Sequence, residues 1–265
     1  MEQQTQKKYQ LIVKGNVKML SMMDSFATTG IYHLSGKGPN AIKPDLQEFV
    51  LEEKEVKLTD YFDPNTYQLI EYVNKLAQIY SRQHICVNDS GIIKGLLNMP
   101  EIKAKWDRLK KELMQVNPVA AFEIIRHKDR ELENPVEVID NLSNTHFMHL
   151  FLYAFMIEPD GIKKQQFVRD RMGIGLSFPV EQTFTTETTA DGHIVHAEAI
   201  LNERGKIDKS HIIKVTGQQQ LDIKHYTRGS FKYNTEGELT AAEMTIFEQL
   251  HEDYKSDLYL HLTSI

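Results

Sequence analysis

One cysteine and one tryptophan are all that this 265-residue chain contains of either residue. The lone Cys86 removes an internal disulfide and a cysteine-rich zinc site from consideration, and a reducing compartment is the expected setting. Apolar runs are short. The longest apolar-rich stretch, Phe147 to Ile157, is too brief to cross a bilayer, and the opening Met-Glu-Gln-Gln-Thr-Gln-Lys-Lys lacks the apolar core of a secretory signal. Cytoplasmic is therefore the expected location. Positive charge is scarce too: 31 Lys+Arg against 37 Asp+Glu leave a net charge of −6, so nucleic acid is not an expected partner, because phosphate binding needs clustered Lys and Arg.

The spacings that announce chemistry are missing as well. Gly36-Lys37-Gly38 and Gly173-Ile174-Gly175 lack both the Gly-x-x-x-x-Gly-Lys-Ser/Thr spacing and the strand-to-helix context that aims backbone amides at a phosphate, so both read as plain turns. His146 and His149 stand three apart on one helical face, a spacing that can ligate a metal. No third ligand is visible and no Glu occupies a His-Glu-x-x-His position, so no metal is expected there. On a predicted strand, His196 and Glu198 fall on one face and His193 on the other, so the three do not converge without a bulge. Cys86, inside Ile85-Cys86-Val87, reads as a small core residue. The expected catalytic residues, metals and cofactors are none, and an enzyme with a site assembled from distant segments ranks last among the readings.

What the chain does have is an ordered layout. At 41% hydrophobic and 26% charged residues it has the composition of a globular protein, and a globule of this length buries roughly 70–75% of the surface its unfolded chain exposes. Tyr9, Leu11, Val13, Val17 and Met19 alternate with polar residues as in a half-buried strand, with Gly15 read as a bulge or kink. A second strand spans Ser25 to Leu34 and ends in a Gly36–Asn40 loop. A third, Phe49 to Leu58, carries enough charge to read as an edge strand.

Three Asx-Pro pairs, Asp63-Pro64, Asn117-Pro118 and Asn134-Pro135, then punctuate a helical middle, each placing a capping side chain before a residue whose fixed φ suits the first helical position. A hairpin turning at Asn88–Gly91 interrupts it between Ile85 and Leu96. The clearest helix follows: Asn98 as cap, Pro100 in the first turn, Glu101 three after the cap, and a stripe of Ile102, Trp106, Leu109 and Leu113 expected to dock on the sheet. Further helices are expected from Pro118, from Pro135 and from about Thr145 to Met156. Strand texture returns from Phe178. Thr183–Thr189 and His193–Leu201 flank an Ala190-Asp191-Gly192 hairpin turn, and Ile207–Thr216, Leu221–Tyr226, Ser230–Asn234 and Asp257–Thr263 continue the meander, with Thr235-Glu236-Gly237 as a tight turn.

The expected fold is α+β: one antiparallel sheet built from N- and C-terminal strands and packed against a central helical block. One domain over 1–265 is expected, with N-terminal strands in 1–60, a mainly helical segment in 61–175 and a meander in 176–265. Two charge biases accompany it. Between Lys103 and Arg130 bases outnumber acids, and Glu236 to Asp257 holds seven acids and one Lys; both read as solvent faces of amphipathic helices. As to function, the first reading is a non-enzymatic binding or adaptor protein of a bacterial kind, an immunity protein, chaperone or secretion accessory, engaging a protein partner through Lys103, Lys105, Lys110 and Lys111. The alternative is a carrier of an apolar small molecule held between sheet and helices, with Met19, Tyr32, Trp106 and Phe151 as lining.

Overall fold

The computed structural model describes residues 6–60, 75–116, 118–154 and 161–265. Eleven strands form one sheet: β1 (Gln6–Met19), β2 (Met22–Pro39), β3 (Gln47–Asp60), β4 (Arg82–Val87), β5 (Ile93–Leu96), β6 (Lys164–Arg169), β7 (Ser177–Thr189), β8 (Gly192–Leu201), β9 (Lys224–Asn234), β10 (Leu239–His251) and β11 (Tyr254–Ser264). Their order is β5-β4-β3-β2-β1-β11-β10-β9-β8-β7-β6. Two meanders are thus joined where the first strand meets the last, from Tyr9 opposite Ser264 to Met19 opposite Tyr254. The N- and C-terminal strands share one antiparallel sheet, as the sequence led us to expect.

Several elements depart from the sequence reading. At Gly15 the β1–β11 register runs through without a bulge. The missing side chain makes room instead: a Cβ there would stand 2.4 Å from Phe26 Cζ and 2.7 Å from Leu258 Cδ2. Gly36 to Pro39 belong to β2 rather than to a loop. β3 is an interior strand between β2 and β4, so its charges do not protect an edge; β5 and β6 end the sheet.

Ile207–Thr216, expected as a strand, instead contains a helix over Lys209–Thr216. Asp208 caps it by accepting from the His211 N–H at 2.9 Å, and Gly217 closes it at φ 71°, its N–H donating to Ile213 O. Caps at both ends outweigh the β preference of its Ile, Val and Thr residues. Leu221–Tyr226 and Ser230–Asn234 are not two strands: β9 is continuous through Arg228-Gly229. The acidic interval after Glu236 is no helix face but β10 with its turns.

Among the described residues, the helices that follow β5 in the middle are α1 (Met99–Val116), α2 (Pro118–Glu133), α3 (Pro135–Ser143) and α4 (His146–Tyr153); the capped Lys209–Thr216 helix is α5. The helix expected at Asp63-Pro64 lies outside the described residues, as does Asn117. Asn134 caps α3 with Pro135 at its first position, accepting from the Glu137 N–H. Asn98 precedes α1, but its side chain turns to β4: Oδ1 accepts from the His84 N–H at 2.9 Å and Nδ2 donates to Arg82 O.

The chain divides into two compact units. In the first (Met1–Lys8, Ile31–Glu55, Phe62–Phe155), Ile102, Trp106, Leu109 and Leu113 are buried as expected. They pack with Ala121 and Leu132 of α2 and Val138 and Leu142 of α3, and Leu96 of β5 packs against the same cluster, so the stripe meets neighbouring helices as well as one strand. Rings of α4 reach the strands: Phe147 stacks on Tyr32 of β2 at 4.5 Å and Phe151 meets Phe49 of β3 edge-on at 5.2 Å. The second unit (Tyr9–Gly30, Val56–Tyr61, Met156–Ile265) holds most of the long strands and α5.

Candidate functional site

Strand alternation gives the second unit one broad apolar face. Leu11 and Val13 of β1, Leu258, Leu260 and Leu262 of β11, Met244 and Ile246 of β10, Phe231 of β9, Val195, Ala197 and Ala199 of β8, and Phe178, Val180 and Phe184 of β7 are all buried on it. Neighbouring strands are in register across this face, as in Met244 opposite Leu260 and Val195 opposite Phe231. Burying so many full side chains contributes roughly 1.5–3 kcal/mol for each. The face is thus the main store of stability in this unit.

At one end of the face the pattern breaks. Ser256, Glu248 and His225 occupy directly opposed positions on β11, β10 and β9, and each is at least 96% buried. Thr227 and Gln182 extend the row on β9 and β7. Glu248 Oε2 accepts from the Arg171 N–H at 2.7 Å, while Oε1 lies 3.5 Å from His225 Nδ1 without hydrogen-bond geometry. The His225 ring stacks on Phe178 at 4.9 Å, and Nε2 stands 3.4 Å from Thr227 Oγ1. Gln166 Nε2 donates to Gln182 Oε1. Glu248 Oε1, His225 Nδ1, Ser256 Oγ and Gln182 Nε2 then have no hydrogen-bond partner among the described residues. Each such buried orphan costs about 1–3 kcal/mol, which native proteins rarely leave uncompensated.

Around the same end, Met172, Leu176 and Ile212 of α5 pack against Phe178, Val180, Leu250 and Tyr254. Asp170 ties down the Gly173–Gly175 turn, accepting from the Ile174 and Leu176 N–H groups at 2.8 and 2.7 Å, and the ring Nε2 of His211 lies 2.7 Å from Ile174 O. The Tyr254 hydroxyl donates to Thr216 O. The Gly173-Ile174-Gly175 turn is therefore part of a cover over the polar row.

A second polar cluster lies in the first unit. Glu48 of β3 accepts from Asn40 Nδ2 at 2.6 Å and pairs with His84 Nε2 of β4 at 2.8 Å, and Asn40 Nδ2 also reaches Cys86 Sγ at 3.7 Å. Burial, and then the Glu48 charge, push the Cys86 thiol up, which opposes thiolate chemistry. Cys86 is a buried small side chain, as its Ile-Cys-Val setting implied.

The other residues singled out in the sequence are placed as follows. His149 packs edge-on to Tyr153 within α4. His193 stacks on Tyr233 of β9, while His196 faces Glu187 at 3.7 Å and Glu198 pairs with Arg228 at 3.0 Å on the opposite side of β8. Of the four lysines on α1, Lys105 is bonded to Ser81 and Glu101, and Lys110 to Asp129; Lys103 and Lys111 are exposed. Of the four lining residues expected for a ligand, Trp106 belongs to the helical cluster, Met19 packs beside Leu250 and Tyr254, and Tyr32 and Phe151 both meet Phe147. Among the described residues one group of potential metal ligands lies close together, His251, Glu252 and Asp253, but Lys18 Nζ already stands 2.8 Å from Asp253 Oδ1 and supplies the positive charge.

The buried row does not show in the sequence, because the acidic interval from Glu236 to Asp257 reads as solvent charge, Glu248 included. Alternation of Ala242, Met244, Ile246, Glu248 and Leu250 was the signal that could have found it. The chain matches no protein-family profile and no curated protein. Its fold is similar to part of a solved structure described as lipid-protein interactions in lipovitellin, with a TM-score of 0.51 and 10% identity over 98% of this chain. This chain spans 25% of the length of that one, and what the two share is a fold.

Proposed function

We propose that this chain binds an apolar small molecule against the apolar sheet face of its second unit and serves as its carrier. The observation that carries the reading is the breadth of that face, which runs across β1, β11, β10, β9, β8 and β7 in matched register. An apolar ligand seated among these buried side chains would gain from its own surface, roughly 25 cal/mol for each Å² of ligand removed from water. The likeness to lipovitellin supports the same direction, since that structure is described by its lipid-protein interactions. We take the helices of the first unit to cover their part of the sheet, on the strength of the α4 ring contacts with Tyr32 and Phe49. The comparisons lend the adaptor reading no support.

Titration with a fluorescent fatty probe whose emission rises in apolar surroundings tests the proposal. The expected result is saturable uptake, displaced by unlabelled long-chain lipid. Emission that rises linearly without saturation, or that no lipid displaces, counts against it.

A further inference from the structure

We propose that the buried row of Ser256, Glu248 and His225 receives the hydroxyl head of a neutral, hydroxyl-bearing lipid, with the apolar body on the adjoining sheet face. This inference rests on the apolar-ligand reading above and narrows it to one class of head group. Three side-chain atoms, Glu248 Oε1, His225 Nδ1 and Ser256 Oγ, are buried and lack hydrogen-bond partners among the described residues, the first two facing each other at 3.5 Å. They come from directly opposed positions on three adjacent strands, so their side chains stand side by side on one face.

The chemistry of the three atoms selects the head. Glu248 Oε1 asks for a donor, since its partner oxygen already holds the Arg171 N–H. Ser256 Oγ donates one proton and accepts another, and His225 offers a proton or a lone pair according to its tautomer. A hydroxyl both donates and accepts, so it satisfies the carboxylate and one of the other two together. A fatty carboxylate would bring a second anion against Glu248, and an alkylammonium has no lone pair for Ser256 or His225 to donate to. The surroundings suit an apolar body: Phe178 lies flat on His225, and Leu250, Tyr254 and Ile212 pack beside it. Entry requires α5 and the Gly173–Gly175 turn to part from the sheet together, giving up the Tyr254 to Thr216 bond and the packing of Ile212.

The test compares three probes of equal chain length, hexadecan-1-ol, hexadecanoate and hexadecylamine, for binding to the full chain by competition against the fluorescent fatty probe. The expected result is that the alcohol binds about tenfold or more tighter than either charged analogue, and that Glu248→Leu and Ser256→Ala each erode this preference. Ser256→Ala deletes one atom from an interior strand and keeps the test available should Glu248→Leu fail to fold. Equal binding of all three probes, which a bridging water in the row would produce, overturns the head-group inference and leaves the apolar-ligand reading standing. An alcohol preference untouched by Ser256→Ala also overturns it, because the selecting group then lies elsewhere. No saturable binding of any probe overturns both.

Discussion

At Gly15 the backbone is ordinary and the space is not. Phe26 and Leu258 close over the position to within 2.4 and 2.7 Å of an added Cβ, so Gly15→Ala forces a shift in an interior strand. A loss of about 1–3 kcal/mol in urea unfolding is expected, partly restored by Phe26→Leu. Trp106 makes the opposite case, a large side chain whose role is readable from its spacing. It is 2% exposed, its Nε1–H donates to Asp129 Oδ1 at 2.7 Å, and Lys110 Nζ lies 5.8 Å from the ring centroid. Trp106→Ala is expected to cost about 3–5 kcal/mol. As the single tryptophan it also reports directly: emission should be blue and resistant to iodide, and red, quenchable emission would contradict its burial. The helical period made Trp106 legible, but nothing in the period says whether a stripe meets a sheet or another helix. The residues of the polar row were illegible for another reason, since an isolated Glu, His or Ser in a strand reads the same whether it faces water or core until the register is known.

Among elements, those with capping chemistry and long periodicity were legible: α1, α3, the β4–β5 and β7–β8 hairpins, and β1. Two misreadings have the same physical origin. β10 is rich in Ala, Glu, Met, Gln and Leu, all good helix formers, yet strands on both sides hold it as a strand, while β-branched α5 is held helical by Asp208 and Gly217. Pairing and capping overrode propensity in opposite directions. The contact of α2 with the residues before β4 carries a pH dependence. Burial pulls the Glu131 carboxyl upward, but hydrogen bonds from Lys128 and Tyr80 outweigh it and hold the group below its usual range. A carboxyl lowered in the folded state contributes stability that is fully present above its unfolded pKa and is lost as pH falls through the folded value. Unfolding free energy should therefore drop from about pH 5 downward, and Glu131→Gln should flatten that slope while costing about 1–3 kcal/mol at neutral pH. An unchanged acid slope in the variant would remove Glu131 from the account.

For the whole molecule, the pairing of β1 with β11 makes the two ends of the chain neighbours in one sheet. We expect that deleting residues 1–58 abolishes cooperative melting, because β11 loses β1 in the second unit and β4 loses β3 in the first. A truncated protein with a sharp thermal transition would show that the remaining strands suffice. The α+β class and the joining of terminal strands were legible in the alternation at both ends of the sequence. The apolar face was not, because it exists only once strands far apart in sequence are placed in register. That face carries the central claim, and native mass spectrometry of protein purified without detergent tests it most directly. The account predicts a species heavier than the 30.7 kDa chain by the mass of an apolar molecule, released by organic extraction and regained on adding lipid. A mass equal to the bare chain, unchanged by added lipid, would contradict it.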